Sequence, residues 1–154
     1  MDIRQIDWKE TIPIRHEVLW PNKEPEFCHV EGDADALHYG AYVESKLVSV
    51  ASVYLDGSSA RLRKFATLPT YQGKGIGSRL LSHILTEITK YNVTSFWCDA
   101  REMAIPFYER YGMQREGERF YKEDVPYFVM RVELSTDNSG HRISSAETDV
   151  HKFT

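Results

Sequence analysis

The chain holds only two cysteines, Cys28 and Cys98, far apart and in no metal-ligand spacing. A disulfide framework and a cysteine-built metal site are therefore not expected, and two free thiols in a reducing compartment are. No apolar run approaches the ~20 residues that a membrane span needs. The opening MDIRQIDWKE has no apolar core of a signal peptide. A cytoplasmic setting without a membrane partner is the expectation. An excess of positive charge is also missing, since the formal net charge is −4. Nucleic acid needs a clustered basic field to displace its counterions, so it is not an expected partner. Glycine is scarce as well: there are nine in the 154 residues. Three of them nevertheless stand at every second position, Gly73, Gly75 and Gly77.

The length suits one domain with one well-buried core. No linker precedes Leu134, so residues 1–134 read as a single domain. Residues 135–154 are polar and rich in Ser, Thr and Asp, with too little apolar surface to offset the entropy of ordering, and a mobile tail is expected there. TIPIRHEVLW reads as a short helix capped by Thr11, with Pro13 in its first turn and Pro21 blocking its continuation. ALHYGAYVE and KLVSVASVYLD alternate as strands joined by a turn at ESK. Leu37, Tyr39, Ala41 and Val43 share one face, and His38, Gly40 and Tyr42 share the other. SARLRKFATL is a third strand. VTSFWCDA and the segments around MQREGERFY and PYFVMRVEL supply more. Leu80, Leu81, Ile84, Leu85 and Ile88 form one helical stripe. IPFYERYG is a short helix, with Pro106 in its first turn and Gly112 as a left-handed stop. A leading meander followed by alternating strands and helices predicts an α+β fold, a mixed sheet of six or seven strands rather than a doubly wound parallel one.

The stretch LPTYQGKGIGSRLLSHIL runs from glycines straight into a helix. With little side-chain bulk, successive N–H groups can turn toward one centre beside the unpaired N–H groups of the helix start. Such a cradle suits phosphate, with Lys74, Gln72 and Ser78 as further donors. A tight turn that binds nothing explains the glycines alone equally well. A P-loop needs Lys-Ser/Thr after its last glycine, whereas Ser78-Arg79 follow Gly77. The dinucleotide pattern G-x-G-x-x-G also fails on spacing.

Gln72-Gly73-Lys74-Gly75-Ile76-Gly77 resembles the pyrophosphate loop of the GNAT superfamily of acetyl-CoA-dependent N-acetyltransferases. Downstream, AREMAIPFYERYGM resembles that superfamily's C-terminal signature. More narrowly, IRHEVLWPN, EGDADALHYGAY and VPYFVMRVEL are similar to a branch of small acetyltransferases that includes the ElaA-like proteins. The resemblance spans roughly Ile3 to Leu134. It implies a mostly antiparallel sheet flanked by helices and splayed at the acyl-CoA site, with acetyl-CoA as cosubstrate and no metal. On the strand before the loop, Phe65, Ala66 and Thr67 would face the pantetheine arm. Gln72, Gly73, Lys74, Gly75, Ile76, Gly77 and Ser78 would hold the pyrophosphate. Tyr108 falls on the family's general acid, with Tyr111 a core position. Arg101 stands where the family often has asparagine, and as a donor-only side chain it is a candidate cofactor contact.

A base is harder to find, because RLRKFAT carries no carboxylate. His38 is the candidate by intrinsic pKa, with Glu26, Glu31, Asp33 and Asp35 as others and a water chain as a further route. The acidic run Glu24, Glu26, Glu31, Asp33 and Asp35 either favours a cationic amine or is simply a solvated loop. Trp20 either walls the acceptor pocket or staples the first helix to the sheet. Tyr121 and Tyr127 either make a homodimer edge or finish the core. The function expected is acetyl transfer to a primary amine of a small molecule or peptide by direct attack, with Cys98 too buried to serve as a nucleophile. A non-catalytic acyl-CoA-sensing regulatory module is the alternative.

Overall fold

The computed structural model describes residues 1–134, and the expectations for 135–154 lie outside the described residues. Ten regular elements are used below: β1 (Asp2–Ile6), α1 (Trp8–Ile14), β2 (Leu37–Val43), β3 (Lys46–Asp56), β4 (Ser59–Thr67), α2 (Ile76–Glu87), β5 (Ser95–Arg101), α3 (Ile105–Glu109), β6 (Gln114–Lys122) and β7 (Val125–Glu133). The strands form one seven-stranded sheet in the order β1-β2-β3-β4-β5-β7-β6. Every neighbouring pair is antiparallel except β4 and β5, which the α2 crossover makes parallel.

That parallel pair is the feature that shapes the site. Its register holds only for Ser59↔Ser95, Ala60↔Phe96 and Arg61↔Trp97. Beyond Arg61, β4 stays with β3 as far as Thr67, while β5 stays with β7 as far as Arg101. The sheet therefore opens into a wedge with an unpaired edge on each side. A bulge helps it open: Val50 pairs with Ala66 but Ser52 with Arg63, so β4 carries one extra residue. Lys64 sits there with φ 56, in the left-handed region that bulges tolerate.

The stripe of α2 buries Leu80, Leu81, Ile84 and Leu85 against Tyr39, Val53, Leu62 and Phe96. Removing so much apolar surface from water holds the crossover helix to the sheet. A second cluster, with Ile14, Val48, Val50, Ala66 and Ile76, joins α1 and the start of α2 to the strands.

Two local expectations need correction, and one strand went unread. The first helix starts at Trp8 rather than after Thr11, because Asp7 and Glu10 form the start signal: the Asp7 N–H donates to Glu10 Oε2 at 2.9 Å. Thr11 is inside, its hydroxyl donating to the Trp8 carbonyl at 2.6 Å. Pro13 is likewise internal, and the coil widens just after it into a π turn over Arg15–Leu19. Strand β1 carries no alternation long enough to read, since only Ile3 and Ile6 are shielded along this edge strand.

Candidate active site

The glycine loop behaves as its composition requires. Gly73 and Gly75 have φ of 75° and 80°, positions that a side chain resists. Gly75 caps α2, and the first α bond runs from the Arg79 N–H to the Gly75 carbonyl at 3.1 Å. The N–H groups just ahead of Arg79 are therefore not used by the helix. Inside the turn, Gln72 Nε2 donates to the Thr67 carbonyl at 2.9 Å, tying the loop to the end of β4. Ser78 is fully buried and its hydroxyl has no hydrogen-bond partner, while its carbonyl accepts from the Tyr111 hydroxyl at 2.8 Å. An orphan buried hydroxyl beside unused N–H groups fits an anionic ligand. Ile76 is buried in the second cluster, so only its backbone serves the loop.

The wedge itself is a cavity of about 410 Å³ between Leu62–Phe65 of β4 and Cys98–Arg101 of β5. Tyr108 closes its floor from α3. Its ring packs edge-on to Phe107 with centroids 5.0 Å apart, and its hydroxyl is hydrogen-bonded to the Cys98 thiol. Burial, and then the thiol beside it, push the phenol far above its ordinary range, so it stays protonated. Burial also pushes Cys98 up to about 12, which leaves a thiol and no thiolate nucleophile. Of the other expected contacts, Phe65 and Arg101 line the wedge. Ala66 and Thr67 are fully buried on the same strand, with Thr67 Oγ1 2.8 Å from Ser49 Oγ.

A second cavity, about 490 Å³, adjoins the first and shares Trp20, Arg63 and Lys64 with it. Phe27, His29, Val30 and Glu31 form its far side. Trp20 and Phe27 meet edge-on at 5.1 Å, and Lys64 Nζ lies 5.9 Å from the Trp20 ring centre. Trp20 is thus a wall of both cavities. Tyr127 stacks on Phe120 and also lines the wedge, while Tyr121 stands exposed on the edge strand β6 and finishes no core.

What holds that far side in place was missed in the sequence. Arg15, in the π turn, is fully buried and forks onto Asp33: Nη1 donates to Oδ2 at 2.9 Å and Nη2 to Oδ1 at 3.1 Å. Arg15 also donates to the Cys28 carbonyl at 3.0 Å and to Ser52 Oγ at 2.9 Å. Asp33 further accepts from the Val30 N–H and the Tyr54 hydroxyl. Burial alone would raise this carboxyl, but the Arg15 and Tyr54 hydrogen bonds outweigh it and hold Asp33 at about 2. No local signal marks the pair: Arg15 is followed by His16 and Glu17, and Asp33 lies inside the acidic run.

His38 belongs to the same network, and this corrects its reading as a base. It is buried, with Nε2 donating to the Asp33 carbonyl at 2.8 Å and Nδ1 2.6 Å from Ser52 Oγ. Both ring nitrogens are spent, burial lowers its pKa, and it lines neither cavity. A neutral structural histidine is the result. The acidic run divides between its two readings: Glu24, Glu26 and Asp35 face solvent as a solvated loop would, Asp33 is consumed by Arg15, and Glu31 alone reaches a cavity.

Residues 22–134 match a family model described as an acetyltransferase (GNAT) domain. The uncharacterized N-acetyltransferase YitI of Bacillus subtilis is 30% identical, covering 88% of this chain and 98% of that protein. Escherichia coli ElaA superposes with a TM-score of 0.72 at 18% identity, covering 85% of this chain and 99% of that one. An aminoglycoside 6'-N-acetyltransferase solved with coenzyme A also gives 0.72, at 14% identity, over 86% of this chain and 97% of that one. At such identities the two solved structures speak to the fold.

Proposed function

The chain belongs to the GNAT acetyltransferases and is an acyltransferase, and from that premise we propose that it moves an acetyl group from acetyl-CoA to a primary amine by direct attack. The observation that carries this reading is the Tyr108 hydroxyl at the floor of a wedge whose two strand edges are unpaired. The unpaired edge of β4 at Phe65, Ala66 and Thr67 suits an extended amide-bearing arm that adds on like a strand. The unused N–H groups at Gly73–Ser78, with Lys74 beside them, suit its pyrophosphate. Arg101, at the open end of the wedge, is a further contact for the cosubstrate.

In the reaction, the free amine nitrogen bonds to the thioester carbonyl carbon. The carbon–sulfur bond then breaks, and its electron pair leaves on sulfur. Tyr108 gives its phenolic proton to that thiolate, and the proton lost by the attacking nitrogen passes through water to bulk and eventually reloads the phenol. A backbone N–H at the bulge beside Lys64 can polarise the carbonyl as charge builds on its oxygen. Bonded to Cys98 until then, the phenol is held ready in one position.

Release of CoA thiol from acetyl-CoA, measured with polyamines, amino acids, aminoglycosides, aryl amines and lysine peptides, tests this reading. Turnover above background hydrolysis with one class is expected. Bound acetyl-CoA with no turnover across all classes would refute direct transfer to those amines.

The loop makes its own prediction. Gly75→Ala places a side chain at φ 80, a strain of about 1–2 kcal/mol. If relaxation turns the N–H groups away, acetyl-CoA binding weakens roughly tenfold. Calorimetric titration of both proteins checks this, and unchanged affinity would remove the loop from the binding site.

A further inference from the structure

The two cations shared by both cavities carry more than the shape does. Arg63 and Lys64 stand next to each other on β4 where the strand bulges, and both line the second cavity. Arg61 and Lys122 share the Asp99 carboxylate as an ion-pair partner, at 2.9 and 3.1 Å. Among the described residues no carboxylate comes within ion-pair distance of Arg63 or Lys64. Glu31, the one carboxylate lining the second cavity, is exposed and forms no ion pair with them. Arg63 rests over the Tyr54 ring at 5.7 Å, and Lys64 is held toward Trp20. Both are partly buried, and burial first, then the neighbouring cation (Arg61 for Arg63, Arg63 for Lys64), pulls each below its ordinary pKa. Two adjacent, partly buried cations without an ion-pair partner among the described residues form a site that an anion would stabilise.

The anion is not expected to be the cosubstrate's pyrophosphate. The glycine loop begins beyond the end of β4 at Thr67, and three strand residues from Lys64 to Thr67 already span about 10 Å. Lys64 turns instead toward the Trp20 and Phe27 wall of the second cavity, whose lining includes no residue of that loop.

Resting on the acetyl-transfer reading above, we propose that the acceptor amine carries an anionic group, a carboxylate or a phosphate, that docks on Arg63 and Lys64 against the Trp20 face. Of the two readings of the acidic run this sets aside the one that favours a cationic amine, since its members other than Glu31 face solvent or are consumed. It also bears on the absent base. The same cations disfavour an ammonium nearby, so the acceptor is pressed to bind as the free amine that attacks.

The test uses matched amines: phenylalanine against phenylalaninamide, 4-aminobutyrate against 4-aminobutanamide, and O-phosphoethanolamine against ethanolamine. CoA release is compared per concentration of free amine at fixed ionic strength. The anionic member of at least one pair is expected to show kcat/KM about 10–100-fold higher. A carboxylate pair or the phosphate pair giving that result names the anion. In Lys64→Gln and Arg63→Gln the advantage should shrink severalfold through KM for the amine, with KM for acetyl-CoA unchanged. Equal or better turnover of the uncharged members, or an advantage that survives both substitutions, overturns the inference. Melting temperature with CoA present supplies a readout that needs no turnover. Stabilisation by the anionic member only, lost in Lys64→Gln, would uphold the anion site even if acetyl transfer failed with every amine. No stabilisation and no turnover would overturn it.

Discussion

Tyr108→Phe is expected to lower kcat about 10²–10³-fold while KM for acetyl-CoA stays within about twofold. The substitution removes one oxygen from the wedge floor and leaves the ring, which is buried and packed on Phe107. On the proposed reading, binding of the cosubstrate rests on the β4 edge and the glycine loop rather than on that oxygen. The phenol is far above its ordinary pKa, so it is loaded with its proton across the whole working range. The acid limb of the pH–rate profile should therefore come from the acceptor ammonium and persist in both proteins. Steady-state kinetics over pH 6–9 decides the matter. A fall confined to KM would make Tyr108 a wall and not an acid.

The second strong effect is one of stability. Arg15→Met should destabilise the protein by about 3–5 kcal/mol, because it strands the Asp33 carboxylate, unpaired, in a fully buried site. That is a large share of the ~5–15 kcal/mol that such domains possess. Asp33→Asn introduced on top should recover part of the loss, since the stranded charge is then gone. Losses that simply add would deny the coupling. The network also sets a pH dependence with a definite sign. Asp33 titrates at about 2 in the folded chain, below its unfolded value, so its contribution of about 2 kcal/mol is complete above pH ~5 and is lost as pH falls toward 2. His38 is also lowered, so the unfolded chain binds its proton first and stability begins to fall below about pH 6.5. Urea titrations between pH 3 and 7 should show both slopes, with the lower one flattened in Asp33→Asn.

Placing Trp20, Phe27 and Glu31 opposite the wedge depends on this network, since Arg15 ties the Cys28 carbonyl and Asp33 to Ser52 of β3. A chain softened there should lose acceptor affinity before it loses acetyl-CoA.

Local chemistry wrote a large part of this molecule. Alternating residues decide β2, β3 and β4, a helical stripe decides α2, and glycines with positive φ decide the loop, because each of these signals acts between near neighbours in the chain. The pairing of QGKGIG with AIPFYERYG was legible for the same reason, as two short motifs in order. Legibility ended where partners meet across long stretches of chain. Arg15 finds Asp33 and Ser52 from 18 and 37 residues away, and a buried arginine looks identical in sequence to a solvated one. His38 read as a base by its intrinsic pKa, and only the strand packing spends both its nitrogens. The acidic run left two readings open, and only the tertiary structure buries Asp33 against Arg15 while Glu24, Glu26 and Asp35 stay exposed. Arg63 and Lys64 likewise meet Trp20 in one cavity only through the tertiary structure, at a bulge in β4, and no local pattern encodes which way a bulge will aim its side chains.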